Sequence, residues 1–107
     1  MELWKPIKDN DGRHKYKVLT KSKDGKKTKT VHFGAIGYGD FTLYSKEFDR
    51  NFAEKMKMSY IARHRVNEDW SDPTTASYWS RWVLWNLPTI EASMRWVMTD
   101  LKKKGYI

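Results

Sequence analysis

Between Thr75 and Asn86 the chain reads TASYWSRWVLWN, and four of these twelve residues are aromatic: Tyr78, Trp79, Trp82 and Trp85. In a chain of 107 residues this segment constrains the architecture more than any other. A domain of that size buries a thin core, and each large ring can remove roughly 150–250 Å² from water. On a helix, Tyr78, Trp82 and Trp85 stand at i, i+4 and i+7 and share a face, with Trp79 and Val83 beside it. One face cannot hold all four rings. The spacing therefore predicts Trp82 and Trp85 as core, and leaves Tyr78 and Trp79 as candidates for contact with a partner. Arg81 points away from that face and joins them.

The segments around this helix are readable from their periods. HKYKVLTKSKDGKKTKTVHFG alternates in two halves, Tyr16 and Val18 on one side and Val31 and Phe33 on the other. Asp24-Gly25 between them predicts a β-hairpin with a type I′ turn. Gly34, Gly37 and Gly39 follow at a spacing that fits neither the dinucleotide fingerprint nor the P-loop. DFTLY reads as a third short strand, and Asp40 as a turn-stabilising carboxylate. Ser45 is a candidate cap for a helix carrying Phe48, Phe52, Met56 and Tyr60 at intervals of four. Thr74 or Thr75 caps the aromatic helix. A last helix buries Ile90, Met94, Val97, Met98 and Leu101, ends in Lys102, Lys103 and Lys104, and stops at Gly105. The expected fold is α+β: one domain over 1–107, β-rich and basic over 1–44 and helical over 45–107. A small antiparallel sheet packs there against about three helices.

The formal net charge is +8 and is unevenly placed. Residues 1–30 carry ten basic and four acidic side chains, against eleven and nine in the remainder. Such a field favours polyanions. The candidate phosphate- or partner-contacting cations are Lys21, Lys23, Lys26, Lys27 and Lys29 on the hairpin, with Arg63, Arg65 and Arg81 in the helical half. No RNA-recognition, KH or zinc-finger signature accompanies them. The chain has no cysteine, which excludes disulfides and thiolate chemistry. No apolar run approaches a membrane span, and the N-terminus lacks an apolar signal core, so secretion is not expected.

Chemistry at a catalytic site is equally unsupported. His64, Glu68 and Asp69 lie close in ARHRVNEDW, but a metal would want a third ligand and usually a second His. His14 and His32 could join only through the fold. The expectation is a structural cluster, with Arg63 and Arg65 pairing with Glu68 and Asp69. No metal, no cofactor and no enzymatic activity are expected.

Two blocks, KTVHFGAIGYGDFT (Lys29–Thr42) and YIARHRVNEDWSDPTTASYWSRWVLWNLPTIEAS (Tyr60–Ser93), carry a resemblance. They resemble a family of small uncharacterised basic proteins of large double-stranded DNA viruses of eukaryotes, including algal and amoebal giant viruses. The blocks and the stretch between them span roughly two-thirds of the chain. The resemblance implies a viral protein, in the virion or the infected cell. It favours a small virion component, a minor capsid or core-associated protein docking on viral structural proteins. The alternative is a DNA- or RNA-binding accessory protein that contacts phosphates with Lys21–Lys29.

Overall fold

The computed structural model describes residues Met1–Ile107 as an α+β fold, a three-stranded antiparallel sheet with four helices. Strands β1 (Ile7–Lys8), β2 (His14–Lys21) and β3 (Thr28–Ala35) lie in that order. The register pairs Tyr16 with Phe33 and Val18 with Val31. That alternation sends Val18, Thr20, Val31 and Phe33 into the core and leaves Thr28, Thr30 and His32 exposed.

The hairpin forms where expected, but its turn differs. Ser22 N–H donates to Lys27 O, and Gly25 N–H to Ser22 O, so the loop spans four residues rather than two. Only Gly25 has positive φ, +76°, whereas a type I′ turn would place Asp24 there too. Side chains lock this longer loop. Ser22 Oγ donates to Asp24 Oδ1 at 2.6 Å, and the Lys26 and Lys27 amides donate to Asp24 Oδ1 and Ser22 Oγ.

DFTLY is not a strand. Asp40 caps helix α1 (Phe41–Glu47), its carboxylate accepting from Leu43 N and Thr42 Oγ1. The third strand is instead β1, on the opposite edge of the hairpin. Helical structure thus begins at Phe41, and Ser45 lies inside α1. Asp49, not Ser45, caps helix α2 (Arg50–His64). Phe48 precedes α2, and it and Phe52 remain exposed, so of the predicted stripe Tyr60 is buried and Met56 half-buried, with Ala53 beside it also buried.

Thr75 caps helix α3 (Ala76–Trp79), which opens into a π-helical turn over Ser80–Leu84 closed by Trp85 N–H to Ser80 O. Thr89 caps helix α4 (Ile90–Lys104), and Gly105 ends it at φ +85°. Ser93, Val97 and Leu101 are its buried line, while Met98 is exposed. No helix is long and apolar enough to cross a membrane.

The π-helical turn re-aims the aromatic segment. Its hydrogen bonds run from i+5 to i, so the α-helical period does not hold across Ser80–Leu84, and Tyr78, Trp79, Val83 and Leu84 all reach the core. All four are buried, with Tyr78 and Trp79 at 0% exposure. Trp82 swings to the side and stacks on Trp96 with ring centroids 4.3 Å apart. Trp4 closes the core from the N-terminus, stacking on Trp79 at 6.3 Å and meeting Tyr106 edge-on. Trp4 adopts the left-handed conformation at φ 63°, and its N–H donates to Leu19 O at 2.9 Å. Burial of its indole offsets a backbone cost of about 1–2 kcal/mol.

Candidate functional site

The lysines of the hairpin tip lie beside the end of α4, while the strand register turns Lys21 and Lys29 to opposite faces of the sheet. Lys23, Lys26, Lys27 and Lys29 are exposed, and Lys21 is half-buried at the base of the loop. The Lys23 side chain packs beside Gly105, with Cε 3.4 Å from where a Cβ would stand there. This contact brings the hairpin tip to the exposed Lys102 and Lys103. The lysine–carboxylate pairs of the chain are Lys5–Glu2, Lys15–Asp40 and Lys104–Asp100, so no hairpin lysine is neutralised by one. The acidic group nearest in sequence, Asp24, is occupied by the loop itself. Its hydrogen bond from Ser22 Oγ, and then that from Lys26 N, hold its carboxyl below the usual range.

The remaining predicted site residues are not brought to this surface in the same way. Arg63 and Arg65 are exposed at the end of α2, without the expected carboxylate partners. Glu68 instead meets His64 Nδ1 at 2.6 Å and accepts from Trp70 Nε1 at 3.0 Å, and Asp69 accepts from Ser71. His64 and Glu68 thus pair with each other and Asp69 with Ser71, so the expected pairing of Arg63 and Arg65 with Glu68 and Asp69 is not made. Tyr78 and Trp79 are removed from the candidate surface altogether. Tyr78 Oη donates to Asp100 at 2.6 Å, and Trp79 Nε1 to Pro73 O at 2.8 Å. Burial first, and Asp100 second, push the Tyr78 phenol far above its ordinary range.

Arg81 turns inward as well. Its guanidinium lies over Trp82 at 4.2 Å and Trp70 at 5.3 Å, and Nη1 donates to Trp85 O at 2.7 Å. Lys57 Nζ donates to the next carbonyl, Asn86 O, at 2.6 Å and sits over the Phe41 ring. The two cations thus cap successive carbonyls at the C-terminal end of the π-helical turn, where the helix dipole is negative. Burial lowers the pKa of both, and for Lys57 the nearby Arg81 charge adds to that shift while Glu54 opposes it. Arg81 is a structural clamp that holds the Trp85–Asn86 corner, not a free cation.

A second group, which sequence reasoning treated as separate residues, converges at the other end of β2. Asp9, Asp11, His14 and His32 offer one ligand-type atom each, all within 4.8 Å of one another. The spacing Asp9-x-Asp11-x-x-His14 was the available signal for three of them. Nothing local pointed to His32, which the β2–β3 pairing supplies. No protein-family model, curated protein or solved structure matches this chain.

Proposed function

We propose that this chain is a non-enzymatic binding protein that contacts the phosphates of nucleic acid through its basic hairpin and the end of α4. The observation that carries this reading is the rigid loop itself. Lys23, Lys26 and Lys27 project from a hydrogen-bonded turn flanked by Lys21 and Lys29, none is paired with a carboxylate, and Lys23 packs beside Gly105, next to the exposed Lys102 and Lys103. Cations presented this way release counterions on meeting a polyanion, which drives association without sequence readout. Stacking on Tyr78 or Trp79 plays no part, since both are core. Binding is therefore electrostatic and tolerant of sequence. The resemblance of Lys29–Thr42 and Tyr60–Ser93 to the giant-virus proteins supports a viral setting, with viral DNA or RNA as the polyanion.

A second reading, docking as a small virion component among viral structural proteins, draws on one specific feature. Phe48 and Phe52 pack ring to ring at 4.8 Å, yet are 52% and 39% exposed. Paired exposed rings suit a protein interface.

Titrating labelled protein with a short DNA duplex and following backbone amide NMR signals separates the two. The nucleic-acid reading predicts saturable shifts at Lys21–Lys29 and Lys102–Gly105 that collapse with added salt. Absence of such shifts, or shifts spread evenly over every exposed lysine, would reject it.

A further inference from the structure

The geometry points to a divalent transition-metal site of the zinc class, built from Asp9, Asp11, His14 and His32. This inference is independent of the nucleic-acid reading. The four residues come from three places: the β1–β2 loop gives the two carboxylates, β2 gives His14 and β3 gives His32. His14 Nδ1 lies 2.7 Å from Asp11 Oδ2, and His32 Nδ1 lies 2.5 Å from Asp9 Oδ2 and 3.7 Å from Asp11 Oδ2. A tetrahedral ion with bonds of about 2.0–2.1 Å holds its ligands about 3.4 Å apart. The three closest separations straddle that value, and all four ligand atoms lie within 4.8 Å of one another, so closing on an ion takes shifts of at most about 1.5 Å.

The outer atoms of the carboxylates are already anchored. Asp9 Oδ1 accepts from Asp11 N, and Asp11 Oδ1 accepts from both Arg13 N and His14 N. Each carboxylate thus has one oxygen fixed by backbone and the other turned toward the imidazoles, as supporting contacts do around metal ligands. The Asp9 side chain is only 1% exposed, although it sits in a polar loop. Such a carboxylate is a preorganised group, not one of many surface acids.

The donor set fixes the class of ion. Two imidazoles favour zinc, cobalt or nickel over calcium and magnesium, which prefer all-oxygen sites. Two carboxylates cancel the charge of a divalent ion, so the filled site is neutral inside a basic protein. Four protein ligands leave no open position, which makes the site structural: it ties the Asp9–His14 loop to β3. Ligation through Nδ1 moves each ring proton to Nε2. Without the ion, the same two Nδ1–H groups donate to the carboxylates, as the observed contacts show.

The test is a Co²⁺ titration of tag-free, chelator-stripped protein, read by its visible absorption, followed by Zn²⁺ displacement. The expected result is a saturable tetrahedral ligand-field band at one ion per chain. His14→Gln or His32→Gln weakens binding more than about tenfold, and His64→Gln leaves it unchanged. Absence of the band, or a band that survives both cluster variants, overturns the site. Should a variant fail to fold, imidazole ¹⁵N NMR of the wild-type protein decides. Zn²⁺ must then convert His14 and His32, and not His64, to the Nε2–H form; unchanged tautomers overturn the site equally.

Discussion

Replacing Trp79 distinguishes a core ring from a stacking platform. The side chain has 0% exposure, stacks on Trp4 at 6.3 Å, contacts the Phe33 ring at 6.0 Å and donates from Nε1 to Pro73 O at 2.8 Å. Trp→Ala truncation in a core costs about 3–5 kcal/mol. Leaving the Pro73 carbonyl buried and unpaired adds about 1–3 kcal/mol. Together these approach the whole stability of a domain this size, about 5–15 kcal/mol. Trp79→Ala is therefore expected to be unfolded or barely folded at 25 °C. Trp79→Phe, which keeps a ring but loses the N–H, remains folded with a cost of about 1–3 kcal/mol from the orphaned carbonyl, and somewhat more from the void. Urea unfolding followed by far-UV circular dichroism reads both without relying on the indole itself. If Trp79→Ala stays within about 0.5 kcal/mol of wild type and loses nucleic-acid affinity instead, the ring is a surface platform and the core assignment fails.

Two further perturbations test the hairpin and its loops. Gly34→Ala combines a φ of +78° with a Cβ placed 2.7 Å from Leu84 Cδ1 and 3.3 Å from Lys15 Cβ. Left-handed strain of about 1–2 kcal/mol and overpacking of about 1–3 kcal/mol sum to about 2–5 kcal/mol. Gly12→Ala, with similar φ but open space around it, pays the strain alone, so equal losses in urea melts would contradict this account of Gly34. Acid should weaken the fold. Asp11 is held low by His14 and the Arg13 and His14 amides, Asp24 by Ser22 and Asp69 by Ser71; for Asp9 burial is the largest single effect and raises the pKa, but His32 and the Asp11 amide together outweigh it. Their folded pKa values lie below the unfolded ones, so their contribution is full above about pH 4 and is lost as pH falls below it. A Tm that stays flat from about pH 5 to 2.5 would contradict this.

Much of the fold was legible because its signals are local. Alternation around Asp24-Gly25 gave the hairpin, and Thr75 and Gly105 marked helix ends by their own capping chemistry. DFTLY misled because Phe, Thr, Leu and Tyr favour strands only in a sheet context, and the Asp40 cap outweighed them. Trp85 lies in the core as its spacing indicates and Trp82 packs against it, but Tyr78 and Trp79 were misassigned for a different reason. A π-helical turn shifts the period from four to five, and no residue type announces it. The basic surface was half legible: the lysine-rich turn was plain, but its contact with Gly105 depends on tertiary packing. His14 and His32 meet across strands whose register and loop no linear spacing encodes.

The measurement that bears most directly on the proposed function is the salt dependence of DNA affinity. Wild-type protein is compared with a variant in which Lys21, Lys23, Lys26, Lys27 and Lys29 are all changed to Gln. For duplex DNA, each phosphate-contacting lysine contributes about 0.9 to the slope of log K against log salt. If all five make contact, the slope flattens by about 4–5, and affinity at low salt falls with it. A slope that is unchanged in the variant, with wild-type affinity, would show that the hairpin is not the contact surface and that this chain does not work through it.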